Sequence, residues 1–150
     1  MKGNAQNRII TAAQSERELY DLISRQDAWT ICRSLPDLFT EFDVEAMVLL
    51  GSRARGDHHF DSDIDVAVIL RGCSPWPGSS KFIKDFGDIT YPIELDTGLL
   101  VSAIALPVEY MRDPSLARNP SLYENIKREG LVFWELGEAI DPPLKWHVKG

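Results

Sequence analysis

Apolar and polar positions change period along this chain, and the changes mark out its elements. Val44–Leu50 and Ile64–Leu70 are apolar almost without interruption, the pattern of strands buried on both faces. Leu99–Leu106 is a third such run, and Leu131–Leu136 a shorter one expected at a sheet edge. Between them the spacing turns helical. Leu35, Leu38, Phe39 and Phe42 form one stripe, with Ser34 expected as its cap, Pro36 in its first turn and Asp37 at its positive end. Phe82, Ile83, Phe86 and Ile89 form another, started at Ser79 or Ser80 and ended or disturbed by Pro92. Ser121 and Glu124 read as a capping box for a helix over Ser121–Glu129 that Gly130 closes, with a short helix at Glu109–Met111 before it. Ser15 and Glu18 make a similar box for a helix at Glu16–Gln26. A helix crossing between the second and third strands makes the sheet parallel or mixed. The expected fold is α/β, a small twisted mixed sheet with helices mainly on one face. The expected organisation is a helical extension over 1–33, one domain over 34–137 and a tail over 138–150.

Candidate chemistry gathers around the first two strands. Asp63 and Asp65 stand two residues apart as the second strand begins, so their carboxylates share one side of it. Two like charges there repel and lose hydration unless a cation lies between them. Mg²⁺ suits such oxygen ligands and is commonly held by one or two carboxylates plus substrate phosphates. After the first strand, Gly51 lets backbone approach a ligand closely. Ser52 offers a hydroxyl and an N–H at a helix start. Arg53 and Arg55 follow, each suited either to phosphate oxygens in a forked geometry or to an ion pair with Asp57 or Asp61. His58 and His59 lack metal-ligand spacing and read as an exposed loop. Ser62 is placed to bond local backbone and hold Asp63.

Gly51-Ser52, ten intervening residues and Asp63-Ile64-Asp65, within the fuller string GSRARGD…SDIDVAV, resembles the signature of the DNA polymerase β-like nucleotidyltransferase superfamily. It looks most like the minimal nucleotidyltransferases of prokaryotes, commonly the antitoxin-side partners of HEPN-domain toxins. The resemblance is close over Leu35–Leu70 and looser as far as Trp134. It implies a polymerase-β-like palm. It also implies two Mg²⁺ ions on Asp63 and Asp65, ATP as donor, and a phosphate seat at Gly51 and Ser52 aided by Arg53 or Arg55. The implied reaction is transfer of a nucleoside monophosphate to a hydroxyl, with a HEPN-type toxin as the acceptor protein. The chain departs from this family on its third strand. The family places a third carboxylate there, whereas the matching position holds Ser102, and Glu94, Asp96 or Glu109 would have to reach in from elsewhere. A catalytically degenerate antitoxin that acts by occlusion is therefore a second reading. A small-molecule, antibiotic-modifying nucleotidyltransferase is a third.

Composition narrows these classes. The chain of 150 residues has the length of one domain, and its net charge of −7 argues against general nucleic-acid binding, which needs a basic footprint. An acidic surface suits a basic partner or simply solubility. Cys32 and Cys73 follow no zinc spacing and read as a buried small hydrophobe and a loop thiol. No apolar run reaches the roughly 18 residues of a membrane span, so a cytoplasmic location is expected.

Overall fold

The computed structural model describes residues 28–72 and 80–146. A helix over 28–38 (α1) leads to β1 (Val44–Leu50), α2 (Gly51–Arg55), β2 (Ile64–Leu70), α3 (Ser80–Thr97), β3 (Val101–Pro107) and α4 (Val108–Arg112). A 3-10 turn at Pro114–Leu116, α5 (Pro120–Glu129), β4 (Leu131–Glu135) and β5 (Glu138–Leu144) complete the order. The expected helix at Glu16–Gln26 and Cys73 lie outside the described residues.

The five strands form one mixed sheet in the order β3-β2-β1-β4-β5. β1 is antiparallel to β2 and to β4, β2 is parallel to β3, and β4 is antiparallel to β5. Because strand side chains alternate between faces, the unbroken apolar runs supply two cores. Met47, Leu49, Val66 and Val68 face the first, which α1 and α3 cover through Ile31, Leu35, Phe39 and Phe86. Ala46, Val48, Ala67 and Ile69 face the second, closed by Met111 of α4 and by Tyr123 and Ile126 of α5. The longer helices thus lie together on one face, and short ones close the other. Phe86 packs edge-on against Phe39 and Phe42, with ring centroids 4.8 and 5.1 Å apart, which pins α3 to the end of α1. Cys32 is fully buried in the first core, and burial pushes its thiol up to about 12.

Several boundaries differ from the sequence expectation. Ser34 does not cap a helix; it lies inside α1, where its hydroxyl donates to the Ile31 carbonyl at 2.6 Å, and Pro36 falls in the last turn. The division expected at residue 34 therefore cuts through one helix, whose Ala28, Ile31 and Cys32 are already core. Pro92 stays inside α3, since Ile89 and Ile93 on either side of it are packed on the first core. A helix-interior proline costs about 3 kcal/mol, and that burial offsets it. Asn119, not Ser121, holds the cap position of α5, with Pro120 in the first turn.

The expected tail over 138–150 is corrected most plainly. Leu136 and Gly137, at φ +51° and +85°, make a two-residue turn of the kind that joins tight hairpins. The chain returns as β5, with Glu138 opposite Glu135, so β4 is an inner strand. β5 carries Pro142 and Pro143, which only an edge strand accommodates.

Gly130, after α5, is required by close approach and not by its backbone angles. A Cβ there would stand 2.5 Å from Val48 Cγ1 and 2.6 Å from the Ile126 carbonyl oxygen. Gly130→Ala is expected to destabilise the fold by about 1–3 kcal/mol, the usual cost of overpacking, read as a lower midpoint in urea unfolding.

Candidate functional site

At one end of the sheet β1 finishes where β2 and β3 begin. Leu50 pairs with Asp65 across β1–β2, and Asp65 pairs with Ser102 across β2–β3. Residues paired in register point to the same face, so these three side chains leave the sheet together on the side of the second core. The charge of Asp63 is felt at Asp65, which is partly buried. Desolvation first, and the neighbouring Asp63 second, raise the Asp65 carboxyl above its ordinary value.

The turn after β1 closes on this carboxylate. Gly51 has φ +70°, and a Cβ on it would stand 2.6 Å from Asp65 Oδ2. Only a glycine brings backbone so near in this conformation. α2 starts there, with no side-chain cap, so its first N–H groups have no partner within the helix. Ser52 accepts from the N–H groups of Gly56 and Asp57 at 2.8 and 3.1 Å through its carbonyl, which closes α2 into a single compact turn.

The two arginines divide. Arg53, open to phosphate or to an ion pair from the sequence, is buried at 6 % exposure. Its Nε and Nη2 donate to the Ser62 carbonyl at 3.0 and 2.8 Å, and Nη2 also reaches the Phe60 carbonyl at 3.2 Å. A guanidinium held in this way braces the loop that delivers Asp63. Ser62 is gripped from both sides, since its hydroxyl accepts from the His59 N–H at 2.8 Å and its own N–H donates to the His59 carbonyl at 3.1 Å. Arg55 takes the ion-pair alternative, with Nε 3.1 Å from Asp57 Oδ2 and Nη1 3.6 Å from Glu129 Oε1. His58 is buried while His59 is exposed, so the exposed-loop expectation holds for His59 alone. Arg53 as a brace was missed because its inward direction depends on how α2 leaves β1, which residue type does not encode.

Among the described residues no further carboxylate joins the pair. Ser102 is exposed and occupies the position beside Asp65. Glu94 and Asp96 lie within α3, not in a turn before the strand, and Glu109 follows the opposite end of β3. Among the described residues no group of three or more His, Cys, Asp or Glu could hold a metal ion. The donor set is thus two carboxylates, which fits an ion whose remaining ligands come from substrate phosphates and water.

Comparison with known proteins decides the family. The family model described as "Polymerase beta, Nucleotidyltransferase" matches residues 34–106, a span running from α1 through the Gly51 turn and both aspartates to β3. Residues 34–106 belong to the polymerase β nucleotidyltransferase family. A Sulfolobus solfataricus crystal structure presented as a candidate nucleotidyltransferase shares the fold, at 17 % identity and TM-score 0.54, covering 81 % of this chain and 92 % of that one. Two toxin–antitoxin structures align more loosely. One, with AMP-PNP, has 17 % identity and TM-score 0.46 over 67 % of this chain and 70 % of that chain. The other, an MntA-HpeT mutant, has 13 % identity and TM-score 0.45 over 69 % and 71 %. No curated protein matches the chain in sequence at a significant level. The nucleotidyltransferase segment ends at β3, so α4, α5 and the β4–β5 hairpin complete the second core from outside the matched span. No described helix is long and apolar enough to cross a membrane.

Two outcomes are expected of this site. A carboxyl whose folded value is raised holds its proton more tightly in the folded state. Stability therefore falls as pH climbs from the ordinary aspartate range through the raised value, and the whole penalty is present at neutral pH. Asp65→Asn removes it. Its thermal midpoint should exceed that of the unmodified protein at pH 7, with the gap closing below pH ~4, followed by calorimetry without metal. Arg53→Lys keeps the charge and loses the fork, so it should lower the midpoint and speed amide exchange across 57–63, while Arg55→Lys should leave both unchanged.

Proposed function

We propose that this chain is a Mg²⁺-dependent nucleotidyltransferase that moves AMP from ATP to a hydroxyl on a partner protein, a HEPN-type toxin. The observation that carries the reading is the close approach of the Gly51 turn to Asp65, where an added Cβ would stand 2.6 Å from Oδ2. In this reading the turn serves as a phosphate seat beside the carboxylate pair. The proposed catalytic unit runs from α1 to β5, with Asp63 and Asp65 holding two Mg²⁺ ions together with the donor phosphates. Bound magnesium would supply neutralisation of phosphate charge and alignment of the attacking and leaving oxygens.

The chain's own groups have separate tasks. The N–H groups of Gly51 and Ser52 bind β,γ-phosphate oxygens. Arg55, whose exposed pair with Asp57 is worth little, exchanges that partner for the departing pyrophosphate. Arg53 keeps Asp63 in place through the Ser62 carbonyl. The acceptor oxygen bonds to the α-phosphorus as the bond from that phosphorus to the oxygen bridging to the β-phosphate breaks, and pyrophosphate leaves. With Ser102 where a carboxylate base would stand, the acceptor proton passes to water. That favours a phenol, with its pKa of about 10, over an aliphatic alcohol, so tyrosine is the proposed acceptor. Ser102 is also the observation behind the competing reading, an antitoxin that occludes its partner without chemistry.

The test is an intact-mass measurement on the product of the adjacent gene, co-purified with this chain and given Mg²⁺ and each nucleoside triphosphate in turn. The expected result is a partner heavier by one or more AMP units with ATP, and unmodified with Asp63→Asn. A tight complex of unchanged mass under every nucleotide would replace the transferase with the occluding antitoxin. Modification of an antibiotic in place of any protein would select the small-molecule reading.

A further inference from the structure

β3 leaves one edge of the sheet open among the described residues. It is terminal in the strand order, and its Leu100 carbonyl accepts from the Ile64 N–H at 2.9 Å. In a parallel ladder that contact sets the alternation. Leu100, Ser102 and Ile104 turn their backbone groups to β2, while Ala103 and Ala105 turn theirs outward. The pairing of β3 runs without a bulge, and its only proline, Pro107, is its last residue, so among the described residues Val101–Leu106 offers no charge, proline or bulge against a further strand.

A groove of about 670 Å³ follows this edge, between α3 and Leu122 of α5. Its walls are apolar and exposed, with Ile83 at 71 %, Tyr91 at 58 % and Ile104 at 38 %. Glu94 lines it together with Ser102. The groove is therefore continuous with the site, because Ser102 is the register partner of Asp65. Charge selects the occupant. An acidic side chain in the groove and a net charge of −7 on the chain attract a cationic segment and oppose a second copy carrying the same charge.

We propose that the β3 edge docks an extended, basic segment of a partner protein as a sixth strand. The segment's main chain pairs with Ala103 and Ala105, its apolar side chains lie against Ile83, Tyr91 and Ile104, and its cationic residue meets Glu94. Strand addition of this kind draws affinity from main-chain bonds and specificity from alternate side chains. Resting on the transferase reading above, the same segment brings the acceptor hydroxyl past Ser102 to Asp65. The docking itself does not need that reading.

The probe is a fluorescein-labelled peptide of about ten residues, the length of a long strand. It alternates valine and threonine around one tyrosine, with lysines at both ends, and a twin has glutamates in place of the lysines. Without nucleotide, the full-length chain should bind the lysine peptide at least about tenfold more tightly than its twin, a difference of ~1.4 kcal/mol. Ala103→Pro removes an outward N–H and no ladder bond, as edge strands tolerate, and should weaken binding about tenfold with an unchanged circular dichroism spectrum. Should that variant fail to fold, Tyr91→Ala, at an exposed wall, should weaken binding in its place. Equal affinity for the two peptides, or full affinity in the folded edge variant, would overturn the proposal. So would a dimer in sedimentation that Ala103→Pro dissolves, which would assign the edge to a second copy. Adding ATP and Mg²⁺ separates the two readings. A docked peptide whose tyrosine gains no AMP keeps the docking strand and counts against transfer, whereas absent docking with an AMP-modified toxin overturns the docking strand alone.

Discussion

β2 is held between β1 and β3 and covered on both faces, and every feature of the site depends on where that pairing is set. Residues 66–70 are completely or almost completely buried, so hydrophobicity alone would tolerate a shift of one position. The aspartates do not. A one-residue slip turns every side chain to the opposite face, which would send the Asp65 carboxylate into the aromatic core under α1 and α3. Burying an unpaired carboxylate costs far more than the misplacement of a valine. The charges that serve the site thus also choose the register that makes it.

The fold treats two half-hidden carboxylates in opposite ways. Glu45, at the far end of β1, is 7 % exposed; Arg112 Nη2 lies 3.1 Å from each of its oxygens, and Arg71 approaches to 3.9 Å. Asp65 instead faces Asp63, another anion. Among the described residues the sheet supplies guanidinium groups to the first acid, while the buried guanidinium of Arg53 donates to the Ser62 and Phe60 carbonyls. That contrast, more than the presence of acids, is what supports the proposed reading of the aspartates as a ligand site.

How much could be read in advance follows from which contacts are local. β1, β2 and the turn between them were legible because strand, turn and aspartate spacing are all written within thirty residues. The parallel placement of β3 followed from the intervening helix, and Ser102 fell beside Asp65 as the motif implied. The β4–β5 hairpin was hidden, since its turn uses Leu136 where an asparagine or aspartate would signal it, and Pro142 and Pro143 argue locally against any strand. α1 was divided at Ser34 because a serine followed by a proline looks like a start signal, while the residues that continue the helix are recognised only by their burial. The inward course of Arg53 is likewise a tertiary fact.

β1 pairs with β2 about twenty residues away, yet its other edge is closed by β4, where Ala46 meets Glu135. As the chain leaves the ribosome, the hairpin that bears the site exists before the strand that completes its sheet. Closing the longer connection from β1 to β4 carries a larger entropy cost than closing the β1–β2 hairpin. A partner synthesised alongside would meet this protein first as an unfinished sheet.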